Sequence, residues 1–260
     1  MYQLSIVVPT FNEKDNIPVL FERVDKALQG INYELIFIDD SNDETPRVIE
    51  ELQQEHSNVV LRHREDEKGL ATAVLLGFSI AQGKYLAVMD ADLQHPPEIL
   101  RSMFAVICRG FDFCIPSRFI PGGSDGAFKF HRKVISAVAR YIGKIALRSL
   151  RQISDPTSGL FMFRRECIKN ADLRPIGWKI MVEVLAMSDY RNVCEIPYSF
   201  CKRNSGESKL SGKVTREYLM QLLRLMRREK KRKVKVLRYS QAKTDKCVER
   251  LNERVLAKAR

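Results

Sequence analysis

The sequence predicts an α/β fold built on a mostly parallel sheet covered by helices. Apolar, β-rich runs alternate with helical patterns through the first half of the 260 residues, and polar clusters recur where those runs stop. The composition, 45% hydrophobic and 29% charged, is that of an ordinary globular chain. Strand–helix alternation of this kind implies parallel strands joined by crossover helices.

Leu4 to Pro9 is the first strand run, and a helical pattern extends from Asn16 to Gln29. The opening residues lack a basic segment and soon meet Asn12 and Glu13, so they read as a strand and not as a signal peptide. Tyr33 to Asp40 is a second strand ending in two carboxylates, followed by a helix through Val48 to Glu55 and a short strand from Asn58 to Arg62. Leu70 to Ala81 reads as a helix, and Lys84 to Met89 as a strand that runs into Asp90-Ala91-Asp92. Pro96-Pro97 opens the next helix, where proline costs least. Phe111 to Pro116 is a further strand.

The second half is less regular. Phe128 to Leu150 is amphipathic and cationic, Gly159 to Phe163 is strand-like, Gly177 to Met187 helical and Val193 to Phe200 strand-like. A polar loop from Ser205 to Gly212 precedes a helix from Val214 to Arg227. Of the 44 Lys and Arg, 15 lie between Arg224 and Arg260, against 4 of the 32 Asp and Glu. Nearly the whole net charge of +12 therefore sits there. Charge divides the chain into a neutral body, 1–223, and a basic, helical C-terminal extension, 224–260. Such an extension attracts an anionic lipid surface or nucleic acid, or serves solubility.

Several classes drop out. No apolar run is long enough to span a bilayer; the nearest, Val134 to Leu147, is broken by Arg140 and Lys144. Six scattered cysteines without a C-x-x-C pair give no zinc ribbon or redox dithiol and point to reduced thiols in the cytosol. There is no G-x-G-x-x-G after the first strand, and Gly206 to Gly212 with Lys213-Val214 misses the P-loop spacing.

In open parallel sheets, ligands bind at the carboxyl ends of the strands. Thr10-Phe11-Asn12-Glu13, Asp39-Asp40 and Asp90-Ala91-Asp92 all fall at such ends. Asp90-x-Asp92 with Gln94 offers oxygen ligands to one hard cation, Mg²⁺ or Mn²⁺, which bridges readily to a diphosphate. Asp39 and Asp40 could hold ribose hydroxyls or a base amide, and one of them is expected to serve the turn instead. Arg118, Arg132, Arg203 and Lys209 are cations near Gly- or Ser-rich loops, suited to phosphate oxygens. His95 and His131 lack metal-ligand spacing and read as helix caps or solvent-facing groups.

Seven strings occur in order: Val8 to Glu13, Ile38 to Ser41, Asp90 to Glu98, Ser117-Arg118-Phe119, Asp155 to Leu160, Gly177-Trp178-Lys179 and Phe200-x-x-Arg203-x-x-Gly206-Glu207-Ser208-Lys209-Leu210. This set resembles the family 2 glycosyltransferases of the GT-A fold, and within them the polyprenol-phosphate (dolichol-phosphate) mannose synthases, over roughly residues 3–225. The resemblance implies inverting transfer of mannose from GDP-mannose to a polyprenyl phosphate. It implies that Pro9, Phe11, Glu13, Ile38 and Asp40 hold the nucleotide. Asp90, Ala91, Asp92, Arg118, Arg203 and Lys209 would contact the nucleotide sugar. The metal would lie on Asp90, Asp92 and Gln94, with Asp92, Arg132 and Arg203 carrying catalysis. Family members often have tyrosine where Phe11 stands; the ring can still stack, but a hydroxyl bond is lost. Many relatives also continue into membrane-spanning helices.

A phosphate acceptor suits the residues independently. The phosphate is already largely ionised near neutral pH, so it needs positioning and not a base, and no Q-x-x-R-W segment of processive hydroxyl-directed enzymes is found. A UDP-sugar, such as UDP-glucose, is the alternative donor. Nucleic-acid binding through the tail leaves the seven strings unexplained, and a lectin-like domain with dead chemistry is disfavoured by the intact D-x-D. The expected location is the cytosolic face of a membrane, held peripherally.

Overall fold

The computed structural model describes residues 2–66, 68–126, 130–201 and 212–259, with backbone alone for 130–135, 213 and 258–259. Its strands are β1 (Leu4–Thr10), β2 (Tyr33–Asp39), β3 (Val59–His63), β4 (Tyr85–Val88), β5 (Phe113–Ser117), β6 (Phe161–Arg164), β7 (Asn192–Pro197) and β8 (Lys235–Arg238). The helices are α1 (Ile17–Ala27), α2 (Thr45–Glu55), α3 (Leu70–Ile80), α4 (Ile99–Ile107), α5 (Phe130–Ala146), α6 (Ile180–Met187), α7 (Gly212–Arg228) and α8 (Gln241–Ala259). One sheet runs β3-β2-β1-β4-β6-β5-β7-β8, parallel except for β6, which is antiparallel to β4 and β5.

Strand alternation builds two cores. Leu4, Ile6 and Val8 of β1 face α1 and α4, whereas Val7 faces α3. Strands buried on both faces explain the near-continuous apolar runs. Gly77 lets α3 lie directly on β1, because a Cβ there would overlap the Val7 side chain. Pro18 and Pro46 sit in the first turns of α1 and α2, where no helical N–H partner is lost. The chain order reverses between β1 and β4, so a crevice opens there at the carboxyl edge.

The C-terminal segment is built into this framework. The charge-drawn point at 223/224 falls inside α7, whose Leu225 is fully buried. β8 adds to the sheet beside β7. α8 lies on α4, where the Arg101 guanidinium donates to Asn252 Oδ1 (2.9 and 2.6 Å). Among the described residues, no helix is long and apolar enough to cross a membrane.

Candidate active site at the carboxyl edge

β1 and β2 pair Pro9 with Ile38 and Thr10 with Asp39, so their polar ends emerge side by side. Asp39 is fully buried and accepts bonds from Thr10 Oγ1 (2.7 Å) and from Ser41 Oγ (2.6 Å) and N (3.2 Å). His63 Nδ1 lies 2.7 Å from its other oxygen. This carboxylate thus ties together the ends of three strands. Asn12 adopts a left-handed backbone (φ 59°), tolerable for a short polar side chain. Its N–H donates to Ser41 Oγ and its Oδ1 accepts the Asn42 N–H. The turn leaves the Phe11 ring 38% exposed at the mouth of the crevice. Half-buried Glu13 accepts from Asn16 Nδ2 (2.6 Å). The side chains of Ile38 and Ala91 are core, so what they offer a ligand is main chain; Pro9 is half-buried.

Asp40 is buried in a fork with Arg64, at 2.7 Å from Nε to Oδ1 and 2.7 Å from Nη2 to Oδ2. The Gly69 N–H also donates to Oδ2 (2.7 Å), from a backbone with φ 138° that favours glycine. Arg64 is a site residue that sequence reasoning missed, since nothing local marks it as Asp40's partner.

After β4 the D-x-D turn passes through Leu93, whose φ of 58° is unusual for a branched residue and is held by its burial in the core. Asp92 is buried, and its Oδ1 accepts the Gln94 N–H (3.1 Å). Asp90 is more open and lies against Gly159, where a Cβ would overlap Oδ2. The loop before β6 therefore closes over the D-x-D. Gln94 is half-buried, and its main-chain carbonyl accepts the Cys201 N–H (2.9 Å). Two carboxylates with a neighbouring amide are too few to enclose a cation. Among the described residues no group of three or more His, Cys, Asp or Glu assembles. This open set, cradled by Gly159, fits a hard divalent ion that completes its shell with substrate phosphate.

Cations line the other side. Arg118, just after β5, forms a buried fork with Asp155 (2.7 and 2.9 Å) and lies over the Phe119 and Phe200 rings. Lys179, at the start of α6, donates to the Thr157 carbonyl (3.2 Å). Burial lowers its pKa, as does Arg118, while Asp155 and Asp90 oppose the shift. His95 is neither a cap nor solvent-facing: it is 3% exposed. Burial, then the Arg118 and Lys179 charges, hold its pKa down to about 3, so the ring is neutral at physiological pH. Lys179 and Asp155 stand inside recognised strings but carry no local signature of a role, and His95 was misread because burial is not visible in a lone histidine. The backbone of Arg132 lies in α5, but its side chain and that of His131 are outside what is described, as are Arg203, Lys209 and the 205–211 part of the polar loop.

The chain matches the model of the glycosyl transferase family 2 over residues 5–171. It belongs to that family. Within the family it is 45% identical over 228 residues to the dolichol-phosphate mannosyltransferase of Pyrococcus furiosus, covering 87% of this chain and 64% of that protein. The chain thus spans just under two thirds of that relative's length. It is 39% identical to the dolichol-phosphate mannosyltransferase of Saccharomyces cerevisiae, with 86% of each chain covered. It is 31% identical to the polyprenol monophosphomannose synthase of Mycolicibacterium smegmatis, with 84% of each covered. Among solved structures, the glucosyl-3-phosphoglycerate synthase of Mycobacterium tuberculosis, in complex with Mn²⁺, UDP and phosphoglyceric acid, superposes with a TM-score of 0.64. That match covers 86% of this chain and 78% of that one at 18% identity, a likeness of fold. The family 2 chain thus has the GT-A architecture, with its acidic turn at the reversal point of the sheet.

Proposed function

We propose that this protein transfers mannose from GDP-mannose to a polyprenyl (dolichyl) phosphate with inversion, using machinery within residues 1–223. The observation that carries the reading is the approach of the enclosed Arg118 side chain and half-buried Lys179 to the D-x-D turn from the other side of one crevice. An acidic side suits a metal–diphosphate and a cationic side suits a second phosphate. The names of the curated relatives support the sugar and the acceptor. Asp90 and Asp92, with Gln94, would hold Mg²⁺ or Mn²⁺, which when bound would neutralise charge on the leaving diphosphate. Arg118 and Lys179 orient phosphate oxygens, and Arg132, Arg203 and Lys209 are proposed to complete the clamp. Phe11 offers a ring face to the nucleotide. The acceptor oxygen attacks as an anion, so no side chain has to remove a proton.

A panel of GDP-mannose, UDP-glucose and UDP-GlcNAc, offered with a polyprenyl phosphate and Mn²⁺, tests this. Mannosyl lipid from GDP-mannose, lost on adding EDTA, is expected. Preference for UDP-glucose would move the assignment to the other donor class, and no lipid product would overturn the acceptor.

The surface supports a membrane-bound acceptor. α5 and α7 run in the same direction: Tyr218 Oη donates to the Ala139 carbonyl, and further along Glu229 accepts the Arg148 and Ser149 N–H groups. Outward from this pair project Val138, Tyr141, Ile142 and Ile145 of α5 with Leu219, Met220, Leu223 and Met226 of α7, all exposed. Spacings of three and four place each set on one helix face, and patches of this kind mark lipid or protein contact. Exposed Arg148, Arg216, Arg224 and Arg227 lie on or beside the same helices, each worth about 1 kcal/mol near an anionic leaflet.

The basic run from Arg227 to Lys233 is only partly available. Arg228 bonds to Asp172, Lys230 to Asp189, and Arg232 to the Leu185 and Ala186 carbonyls over the Tyr190 ring. Cutting the chain after Leu223 would remove buried Leu225 and β8, so point substitutions are the cleaner test. Ile145→Glu with Leu223→Glu, at positions 76% and 65% exposed, is expected to abolish most co-sedimentation with anionic vesicles. Sugar-nucleotide affinity and melting temperature should be unchanged. Undiminished vesicle binding would remove this face from the membrane contact. Six unpaired thiols fit placement on the cytosolic face.

A further inference from the structure

Three segments of the site are joined by a polar relay that ends at the D-x-D. In the loop before β6, Ser158 Oγ accepts the Leu160 N–H (3.2 Å) and bonds to the Tyr198 phenol oxygen. Tyr198, just after β7, places its hydroxyl 3.1 Å from His95 Nδ1. Because the ring's other nitrogen, Nε2, faces the Asp90 carboxylate, the imidazole proton is favoured there, and Nδ1 is left to accept the Tyr198 O–H. The ring cannot turn away. It is stacked on Tyr198 (5.6 Å between centroids, 20° between planes) and met edge-on by Phe200 (5.0 Å, 86°). Nε2 then faces Asp90 Oδ2 at 3.8 Å, an electrostatic contact longer than a hydrogen bond.

We propose that His95 is a positioning residue for the D-x-D, its Nε2–H orienting the Asp90 carboxylate toward a divalent cation while Tyr198 locks the tautomer. The inference rests on the reading of Asp90 as a metal ligand. Groups that orient metal-binding side chains in this way are typically worth about 10- to 100-fold in metal affinity. Ser158 and Tyr198 thereby couple the Gly159 loop, which packs on Asp90, to the turn that carries Asp90 and Asp92.

The test is a titration of the full chain with Mn²⁺ in the presence of GDP, followed by electron paramagnetic resonance. His95→Phe keeps an aromatic ring and removes both nitrogens. It is expected to weaken Mn²⁺ binding about 10-fold or more, with KM for the lipid phosphate unchanged. His95→Gln, whose amide nitrogen reaches a place similar to Nε2, is expected to recover most of the loss. Tyr198→Phe removes one oxygen and the tautomer lock, and should weaken binding in the same direction; it carries the test should His95→Phe not fold. Wild-type Mn²⁺ affinity in folded His95→Phe, or in Tyr198→Phe where that variant decides, would overturn the inference. Asp90→Asn separates the two levels. If it binds Mn²⁺ like the wild type, the metal reading itself is wrong; if it alone loses binding, only the role of His95 fails.

Discussion

Asp92→Asn is expected to lower turnover by about 10³-fold or more, the scale of losing a preorganised electrostatic contact to developing charge, while the fold stays intact. Asp92 is 7% exposed, and its Oδ1 takes the Gln94 N–H, which an amide oxygen can still accept. Shape and that turn contact persist, so melting temperature should not move. What disappears is one negative charge at the place where a divalent cation and a departing diphosphate would meet, and Mn²⁺ binding with GDP should weaken in parallel. Steady-state transfer assays and thermal melts of the two proteins check both halves. Wild-type rates in the variant, or in the wild type under EDTA, would remove the metal from the mechanism.

Arg118→Ala is expected to cost both stability and activity. The Arg118 side chain is 9% exposed and Asp155 is fully buried. Removing the guanidinium leaves a buried carboxylate without its fork, a situation that typically costs about 3–5 kcal/mol. It also takes a cation from the side of the crevice proposed to hold phosphate, for which a loss of about 10²-fold in turnover is expected. Urea unfolding and transfer kinetics measure the two effects. Asp155→Asn separates them, because it weakens the fork but keeps the Arg118 charge at the site; it should lose stability with a smaller loss of rate. Arg118→Lys should fall between, since an ammonium restores charge without the two-pronged geometry. Wild-type turnover in Arg118→Ala would mean that this arginine is only a strut for the Asp155 loop.

Much of the first half was legible because its signals are local. β1, β2 and β4 are apolar runs that end in polar clusters, and a strand end is where a parallel sheet meets its ligand. The second half was less legible. β6 is four residues long and lies antiparallel between β4 and β5, a direction that no periodicity encodes. β8 was hidden within a run of lysines and arginines, because a short edge strand with exposed ends needs little apolar patterning. α7 was legible as a helix, but whether its apolar positions face a core or solvent depends on what lies beside it.

By itself, the sequence determined the alternation of strands and helices, the strand-end placement of Asp90 and Asp92, the concentration of positive charge beyond residue 223, and the ordered strings that mark the family. These depend on neighbours in the chain, through side-chain period, turn chemistry and composition. The tertiary structure alone decided that Asp40 belongs to Arg64, that Arg118 belongs to Asp155, and that His95 is enclosed by Tyr198 and Phe200. It also decided that the C-terminal segment closes the sheet instead of trailing from it. Each of these joins groups brought together only when the sheet closes. Burial makes an unpaired charge or a donor without an acceptor costly there, so the partner is chosen by the packed surroundings and not by the residues next in sequence.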